Sequence, residues 1–535
     1  MSEAPPVRVQ EHRFWIPVLL VALGAAAVAG LQFFPDESLD DGRRNTYSMA
    51  AGILVVGLIA LWHLFFSGFS WTARLVGLAG AFVLVYFAAP TPAGGFIVSS
   101  IEFNGFMAPN LRFAWEDNEA ALARHRLLAG AADGAADLTQ VSPDDMPEYR
   151  GARRDGVSQG PALETVWSAD EPKRLWIQPV GGGYAAFSVV GTWLVTIEQR
   201  RASEAVVCYD GRTGAECWIH EYPAFFRETL GGDGPRATPT IHEGKVYSLG
   251  ATGELVRLDG RTGRADWRVN ILSLNGAANL TWGMSGSPLV LDGLVIVTPG
   301  SQKAGKAEGA ILALKEKDGS VAWKSGSGLG GYASPMLAKL CGERQILAFE
   351  GEGLSSYAAS DGARLWHSPW KSEFDINAAQ PIVVDDRTVF ISSNAGSALL
   401  EISQENGEWS ARPKWTSRDM KCHYSNPILY EGHVYGLDNG ILACVRLTDG
   451  KRTWKGGRYG HAQMLLRGSV FVILSEKGEI AMVEANPEEY HELGKIQALD
   501  DFKTWNNPAL VGNRLYVRNH VKMAAYALPL EKRGP

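Results

Sequence analysis

Seven tryptophans stand at one fixed place behind a tight turn, and that recurrence limits what this chain can fold into. A turn glycine is followed four positions later by Trp at Gly214/Trp218, Gly263/Trp267, Gly319/Trp323, Gly362/Trp366 and Gly450/Trp454, and Trp176 and Trp415 hold the same place behind altered turns. Steps between successive tryptophans run from 39 residues (Trp415 to Trp454) to 56 (Trp267 to Trp323). The stretch Gly244–Trp267, GKVYSLGATGELVRLDGRTGRADW, shows one unit: two alternating apolar runs, then the reversal Asp259–Gly263. Period-two alternation suits half-buried strands, and Gly supplies the positive φ of short hairpins. Such a unit cannot bury both faces alone. A repeat of about 40–50 residues made of short strands is the pattern of propeller blades.

A second marker counts the blades independently. Short strands begin at Gly191, Gly244, Gly293, Glu343, Asp386, Gly432, Gly468 and Asn513, which makes eight. Before most of them lies a small-residue strand with Pro: RATPTI, SGSPLV, YASPML, AAQPIV, YSNPIL and WNNPAL. These read as innermost strands, where space tapers and where Pro is tolerated because the strand is an edge. The last unit runs out near Leu530 after its third strand, while Trp176 opens the region as a fourth strand with no blade before it. The expectation is therefore that Leu175–Val180 completes the eighth blade and ties the ring. The unit around Ile480–Gln497 lacks the Trp and is degenerate.

The N-terminal region is of another kind. Trp15–Phe34 and Thr46–Trp71 carry no charge, and Leu75–Ser100 is apolar as far as about Pro90. The reading is three transmembrane helices, at about 15–34, 48–67 and 73–90, with small residues in GAAAVAG and GLAGA suited to close packing. Three crossings put the termini on opposite sides. Arg8, Arg13 and Arg74 against Arg43 and Arg44 in the Pro35–Asn45 loop favour a cytoplasmic N-terminus. That orientation exports everything after the third helix: the expectation is an inner-membrane protein, in contact with lipid through three helices, with the propeller outside the cytoplasm. The domains expected are a membrane anchor over 1–90, a connector over 91–147 and the propeller over 148–535, an all-β eight-bladed domain. Within the connector, Glu116–Leu128 reads as a helix and Gly130–Pro147 as a linker.

Composition excludes some classes. A net charge of -7 and a pI near 5.9 argue against nucleic acid as a partner. The five cysteines, at 208, 217, 341, 422 and 444, form no CxxC, so zinc spacings are absent and no metal site is read. Cys208 and Cys217 flank the Asp210–Gly214 turn as approximate cross-strand partners: a disulfide if exported, or two free small hydrophobes. Gly326–Gly331 satisfies G-x-G-x-x-G, but a strand rather than a helix follows it, so a dinucleotide reading fails.

The segments VCYDGRTGAECW and VRLDGRTGRADW resemble the pyrroloquinoline-quinone (PQQ)-type propeller repeat, whose tryptophan-docking segments brace neighbouring blades; YAASDGARLW and VRLTDGKRTW resemble shortened copies. YRGARRDGVS (Tyr149–Ser158) is similar to the segment before the propeller in bacterial PQQ-like proteins. The resemblance covers about Tyr149–Leu530. It implies an eight-bladed fold in a superfamily holding both quinoprotein dehydrogenases and non-catalytic scaffolds such as BamB-type factors for outer-membrane β-barrel assembly. Trp176, Trp218, Trp267, Trp323, Trp366, Trp415 and Trp454 fall to packing between blades, since a ligand needs one site rather than seven.

Residues just before the innermost strands gather near the axis: Tyr184, Arg236, Trp282, Tyr332, Asn377, His423, His461 and Trp505. This set holds aromatics, Arg and His but no carboxylate, a poor match to Ca2+; Glu228, Asp233 and Asp375 lie in nearby loops. No adjacent Cys pair exists of the kind on which the similar alcohol dehydrogenases stack their quinone. The expectation is a binding or scaffold module of the cell envelope, taking a protein or peptide partner, with no cofactor and no catalytic residue assigned. The alternative is a membrane-bound dehydrogenase using PQQ with Ca2+ and passing electrons to the quinone pool.

Overall fold

A computed structural model describes residues 14–33, 41–88, 97–113, 118–129, 136–167, 171–301, 306–326, 328–500 and 503–531. The chain divides into two units, Met1–Asp117 and Asn118–Pro535.

In the first unit the apolar runs form helices α1 (Trp15–Phe33), α2 (Asp41–Phe66) and α3 (Trp71–Ala88), followed by a hairpin of Val98–Phe103 with Pro109–Phe113. Close approach of α1 and α2 depends on a small residue: a Cβ added at Gly24 would meet Val55 Cγ2 at 2.5 Å. Two helices, Trp15–Phe33 and Gly42–Phe66, are long and apolar enough to cross a membrane. The expectation of three is corrected. The apolar part of α3 is only Trp71–Tyr86, which at 1.5 Å per residue covers about 24 Å against about 30 Å of hydrocarbon. With two such helices in place of three, the argument for termini on opposite sides loses its footing. α2 also starts earlier than expected, drawing Arg43 and Arg44 from the presumed loop into its first turn. Arg8, Arg13 and Pro90 lie outside the described residues.

The second unit holds eight four-stranded antiparallel sheets. Blades 1–7 run over 188–223, 240–270, 289–325, 336–369, 382–417, 428–458 and 463–497; blade 8 joins 509–527 to 173–179. Lys173–Pro179 pairs with Lys522–Ala527 from Lys173↔Ala527 to Pro179↔Lys522, so the chain's early strand closes the ring as expected.

Between blades, the tryptophans repeat one contact. Indole Nε1 donates to a carbonyl of the following blade from Trp176 (to Gly211, 3.0 Å), Trp218 (to Gly260, 2.9 Å), Trp267 (to Glu316, 2.9 Å), Trp415 (to Leu447, 2.9 Å) and Trp454 (to Asn486, 2.8 Å). The ring lies against the turn glycine of that next blade: a Cβ added at Gly263 would come within 2.6 Å of Trp218 Cε3. Trp323 faces Gly362 in the same way, while Trp366 turns its N–H to Gln345 Oε1 in its own blade, 2.9 Å away. Blade 7 has Gly494 where the others have Trp: it pairs with Met482 just before the bulge, as Trp454 pairs with Cys444. Trp167, from the segment before the ring, occupies the vacated space, and a Cβ at Gly494 would meet its Cε3 at 2.8 Å.

The innermost strands are three to five residues long. Pro239, Pro288, Pro335, Pro381, Pro427 and Pro508 each immediately precede one. Ahead of five of these prolines, all but Pro508, stands a polar residue whose side chain reaches the preceding blade. Ala186 N donates to Thr238 Oγ1 (3.0 Å), Thr238 N to Ser287 Oγ (2.9 Å) and Ser287 N to Ser334 Oγ (2.9 Å). Gln380 Nε2 donates to Ser334 O (2.9 Å), Gln380 N to Asn426 Oδ1 (2.8 Å) and Asn426 Nδ2 to Gln463 Oε1 (3.1 Å). Asn506 Nδ2 in blade 8 returns to Ala185 O at 2.8 Å. These bonds form a belt through the small-residue strands.

Residues 146–163 cross the ring on the face where the first strands end. Met146 bridges Val189, Val157 runs parallel to Leu466, and Leu163 bridges Leu530. The guanidinium of Arg154 donates to the carbonyls of Pro335 (2.7 Å), Ser287 (3.1 Å) and Pro288 (2.5 Å), and that of Arg150 to Pro427 O (3.1 Å). Both arginines are buried. Helix α4 (Asn118–Ala129) lies along blades 8 and 1, through Asn118 Nδ2 to Val180 O (2.6 Å) and Arg126 Nε to Glu216 Oε2 (3.0 Å). Ala136 and Leu138, in the stretch expected to be linker, are buried in the core between blades 1 and 2.

Gly263 and Gly293 separate the turn from the indole contact, because both have positive φ (70° and 75°) but nothing lies within 4 Å of a Cβ at Gly293. Gly293→Ala is expected to cost only the backbone strain, about 1 kcal/mol. Gly263→Ala should cost about 2 kcal/mol more, from the displaced Trp218. Urea unfolding midpoints of the two variants check this; equal costs would remove the ring contact from the account.

Candidate functional site

The stretches ahead of the first strands lie on the ring face opposite the 146–163 crossing, and their side chains make a nearly continuous aromatic surface. His423 and His461 have ring centroids 5.3 Å apart; Tyr424 stacks on His461 at 4.6 Å and meets Trp505 at 4.9 Å; Trp505 meets Tyr184 at 5.3 Å. Two cations lie on these rings. Lys503 Nζ is 4.2 Å from the Trp505 centroid and 5.4 Å from that of Tyr184, and the Arg236 guanidinium is 5.8 Å from Tyr184 and 4.6 Å from Phe226. Trp282 and Tyr332 meet edge-on at 5.7 Å, and Trp282 and Arg236 flank Gly231. Seven of the eight residues picked from the sequence therefore belong to one surface. Asn377 does not: it is fully buried, its Nδ2 donates to Glu350 O (2.6 Å), and its carbonyl accepts from Tyr332 N (2.9 Å).

Sequence reasoning passed over Lys503, Glu476 and Tyr424. Lys503 is fully buried, with Nζ donating to Leu230 O at 2.8 Å. Glu476 is buried too, its oxygens accepting from Trp505 Nε1 (2.9 Å) and His461 N (3.2 Å). A Lys or Glu between strands reads as a solvated loop residue, and nothing in FKTWNNP or SEKGE signals otherwise. Tyr424 had a signal, standing beside His423 just ahead of a Pro-bearing strand.

Burial sets the charge states. It pushes His423 down to about 4, with His461 adding to the shift and the bond to Asn439 Oδ1 (3.1 Å) opposing it. It lowers Arg236 and raises Tyr332 to about 12. At neutral pH His423 is thus neutral, on the same surface as the Arg236 guanidinium.

The donor set fits a quinone with Ca2+ badly. Glu228 accepts from Leu230 N (2.9 Å) and Gly231 N, Asp233 holds Arg227 (2.9 Å), and Glu476 is engaged as above. Among the described residues no three His, Cys, Asp or Glu side chains converge. A groove of about 550 Å3 elsewhere is lined by Val157–Gly160, Leu429–Gly432 and Leu466–Gly468, at the opposite end of the first strands and away from these rings.

The architecture and this face together define a PQQ-like repeat propeller. A family model described as "Outer membrane protein assembly factor BamB" matches residues 162–279 and 277–456, more than half of the chain, and the chain belongs to that family. The comparison with curated proteins gave no match. Solved structures similar to the chain include a quinohemoprotein alcohol dehydrogenase from Comamonas testosteroni (13% identity, 78% of this chain and 85% of that one, TM-score 0.54). Another is a quinohemoprotein alcohol dehydrogenase from Pseudomonas putida HK5 (13%, 74% and 82%, TM-score 0.50). BamB from Moraxella catarrhalis is 16% identical over 67% of this chain and 100% of that one, with TM-score 0.49. At these identities the two dehydrogenases attest the fold alone.

The depressed His423 makes a signed prediction. Above pH 6.5 it is neutral folded and unfolded; as pH falls towards 4 the unfolded chain takes up a proton that the folded one refuses, so stability is lost. Between pH 7 and 4.5 wild type should lose about 2 kcal/mol more than His423→Gln, which keeps a partner for Asn439. Urea unfolding at the two pH values measures it.

Proposed function

We propose that this protein is a membrane-tethered binding module of the cell envelope, whose propeller takes a protein or peptide partner during outer-membrane protein assembly. The observation that carries this reading is the aromatic face of Tyr184 and Trp505 with the Arg236 guanidinium beside them. Aromatic rings with Arg are the side chains that anchor protein partners. Family membership supports the assembly setting. Dehydrogenase chemistry is the less favoured reading, because Glu228, Asp233 and Glu476 are already engaged and no three such side chains converge among the described residues.

Export of the propeller belongs to the same proposal. Family membership supports it and the charge count does not: with two crossings the N-terminus and the propeller share a side with Arg8, Arg13 and Arg74, against Arg43 and Arg44 opposite. Alkaline phosphatase, active only outside the cytoplasm, should be active when fused after Pro535. Fused ahead of Met1 it reads the crossing number: active for two crossings, inactive if α3 also crosses. An inactive C-terminal fusion of a stable protein would overturn export.

Removing the protein from its host should lower the level of folded outer-membrane β-barrel proteins. Wild type should restore it, while the double variant Tyr184→Ala/Trp505→Ala, checked for folding, should not. Unchanged β-barrel levels would sink the assembly role. A quinone spectrum retained after reconstitution with PQQ and Ca2+, with dye-linked alcohol or sugar oxidation, would establish the dehydrogenase instead.

A further inference from the structure

Blade 1 contains a pair of thiols that no other blade has. Its third strand, Ser203–Asp210, and outer strand, Ala215–Pro223, pair as Cys208↔Trp218 and Tyr209↔Glu216, with a register shift between. The outer strand therefore carries one extra residue at this point, Cys217, so that Cys217 and Trp218 together oppose Cys208. Cys208 lies in the core shared with blade 2 and Cys217 packs against that core, its Sγ on Ala215 O at 3.9 Å. Their environments differ. Cys208 is fully buried, and burial followed by the Cys217 contact holds its thiol well above the usual range. Cys217 is half-exposed. The remaining cysteines serve as internal controls: Cys422 and Cys444 are buried in separate cores, and Cys341 is half-exposed with its thiol on Ile402 O at 3.6 Å.

We propose that Cys208 and Cys217 are an oxidisable dithiol, closed to a cross-strand disulfide by exchange with a disulfide-carrying oxidant. The accessible Cys217 thiolate attacks the oxidant's disulfide and releases one thiol, leaving a mixed disulfide on Cys217. Cys208, losing its proton, attacks Cys217 Sγ and expels the second thiol. Two protein thiols are oxidised to one disulfide, and one oxidant disulfide is reduced to two thiols. The bond would fasten the strand that carries Trp218, whose indole is seated on blade 2. The chemistry stands on blade 1 alone; only its state in the cell rests on the export reading.

The test uses the full chain in detergent, treated with oxidised glutathione, quenched with an alkylating agent on denaturation and mapped by mass spectrometry. Trypsin cuts at Arg212 between the two cysteines, so the expected product is a pair of peptides joined through Cys208 and Cys217, two hydrogens lighter, with Cys341, Cys422 and Cys444 alkylated. Dithiothreitol should reverse it. Cys208→Ser, which lacks the resolving thiol, should accumulate glutathione on Cys217, whereas wild type should not. Five alkylated thiols, or wild type carrying stable glutathione on Cys217, would overturn the pair. Alkylation trapping in the host separates the two ideas: a reduced pair there, with a disulfide formed in vitro, counts against export and not against the dithiol.

Discussion

A propeller has an edge problem at its centre, and much of this chain is arranged around it. Each innermost strand pairs on one side only, so its other side points backbone donors and acceptors at the axis, where unpaired burial is costly. Two devices meet that cost. The polar residue ahead of most of these prolines bridges to the neighbouring blade, so neighbouring strands supply one another's partners. The proline removes a donor at the crowded entrance to the strand. Then Arg150 and Arg154, each with several N–H groups in a fixed fork, satisfy the carbonyls of Ser287, Pro288, Pro335 and Pro427. No hydrophobic side chain could replace them, which is why two arginines stand buried at the heart of a β fold.

That division of labour leaves the two faces of the ring unequal. On one, residues 146–163 lie across the strand ends and occupy the approach to the axis. On the other, no such segment intervenes among the described residues, and the stretches leading into the strands bear Tyr184, Trp505, Arg236 and the two histidines. The face available for recognition is thus fixed by where the chain enters its ring. Lys503 and Glu476 give that face its stiffness: a buried ammonium held to Leu230 O and to two ring faces, and a carboxylate holding Trp505 and His461.

What was legible in the sequence follows from this physics. Strand alternation, turn glycines and Trp spacing are local and repeated, so blade count, closure by Leu175–Val180 and most of the axial residues could be read directly. The membrane count failed at α3 because charge-free length was judged from a stretch that ran beyond the helix's apolar part. Buried Lys503, buried Glu476 and the engagement of Asn377 were invisible, since burial of a polar residue between strands is decided by the other blades. The belt was visible as prolines but not as hydrogen bonds: Thr, Ser, Gln and Asn share no residue type, only the ability to reach one neighbour. Trp167 escaped notice for a related reason, lying outside the repeat whose missing indole it replaces.

Repetition also creates an ambiguity that the sequence must resolve, because interchangeable blades offer interchangeable seams. Here the seam between blades 8 and 1, where the chain's early strand must find its late one, carries what the repeats lack. Arg518, fully buried in blade 8, donates to Thr196 Oγ1 (2.6 Å) in blade 1 and to Gly181 O (2.8 Å). Beside it Glu198, also fully buried, takes Arg200 Nε (2.5 Å) and the Tyr209 hydroxyl (3.1 Å). Buried pairs of this kind contribute little net stability, yet removing one member leaves the other charged and unpaired at about 3–5 kcal/mol. A slipped closure would set Arg518 against a blade with no Glu198 or Thr196 to receive it. The tryptophans make every seam hold; the buried charges make this seam the one at which the ring closes.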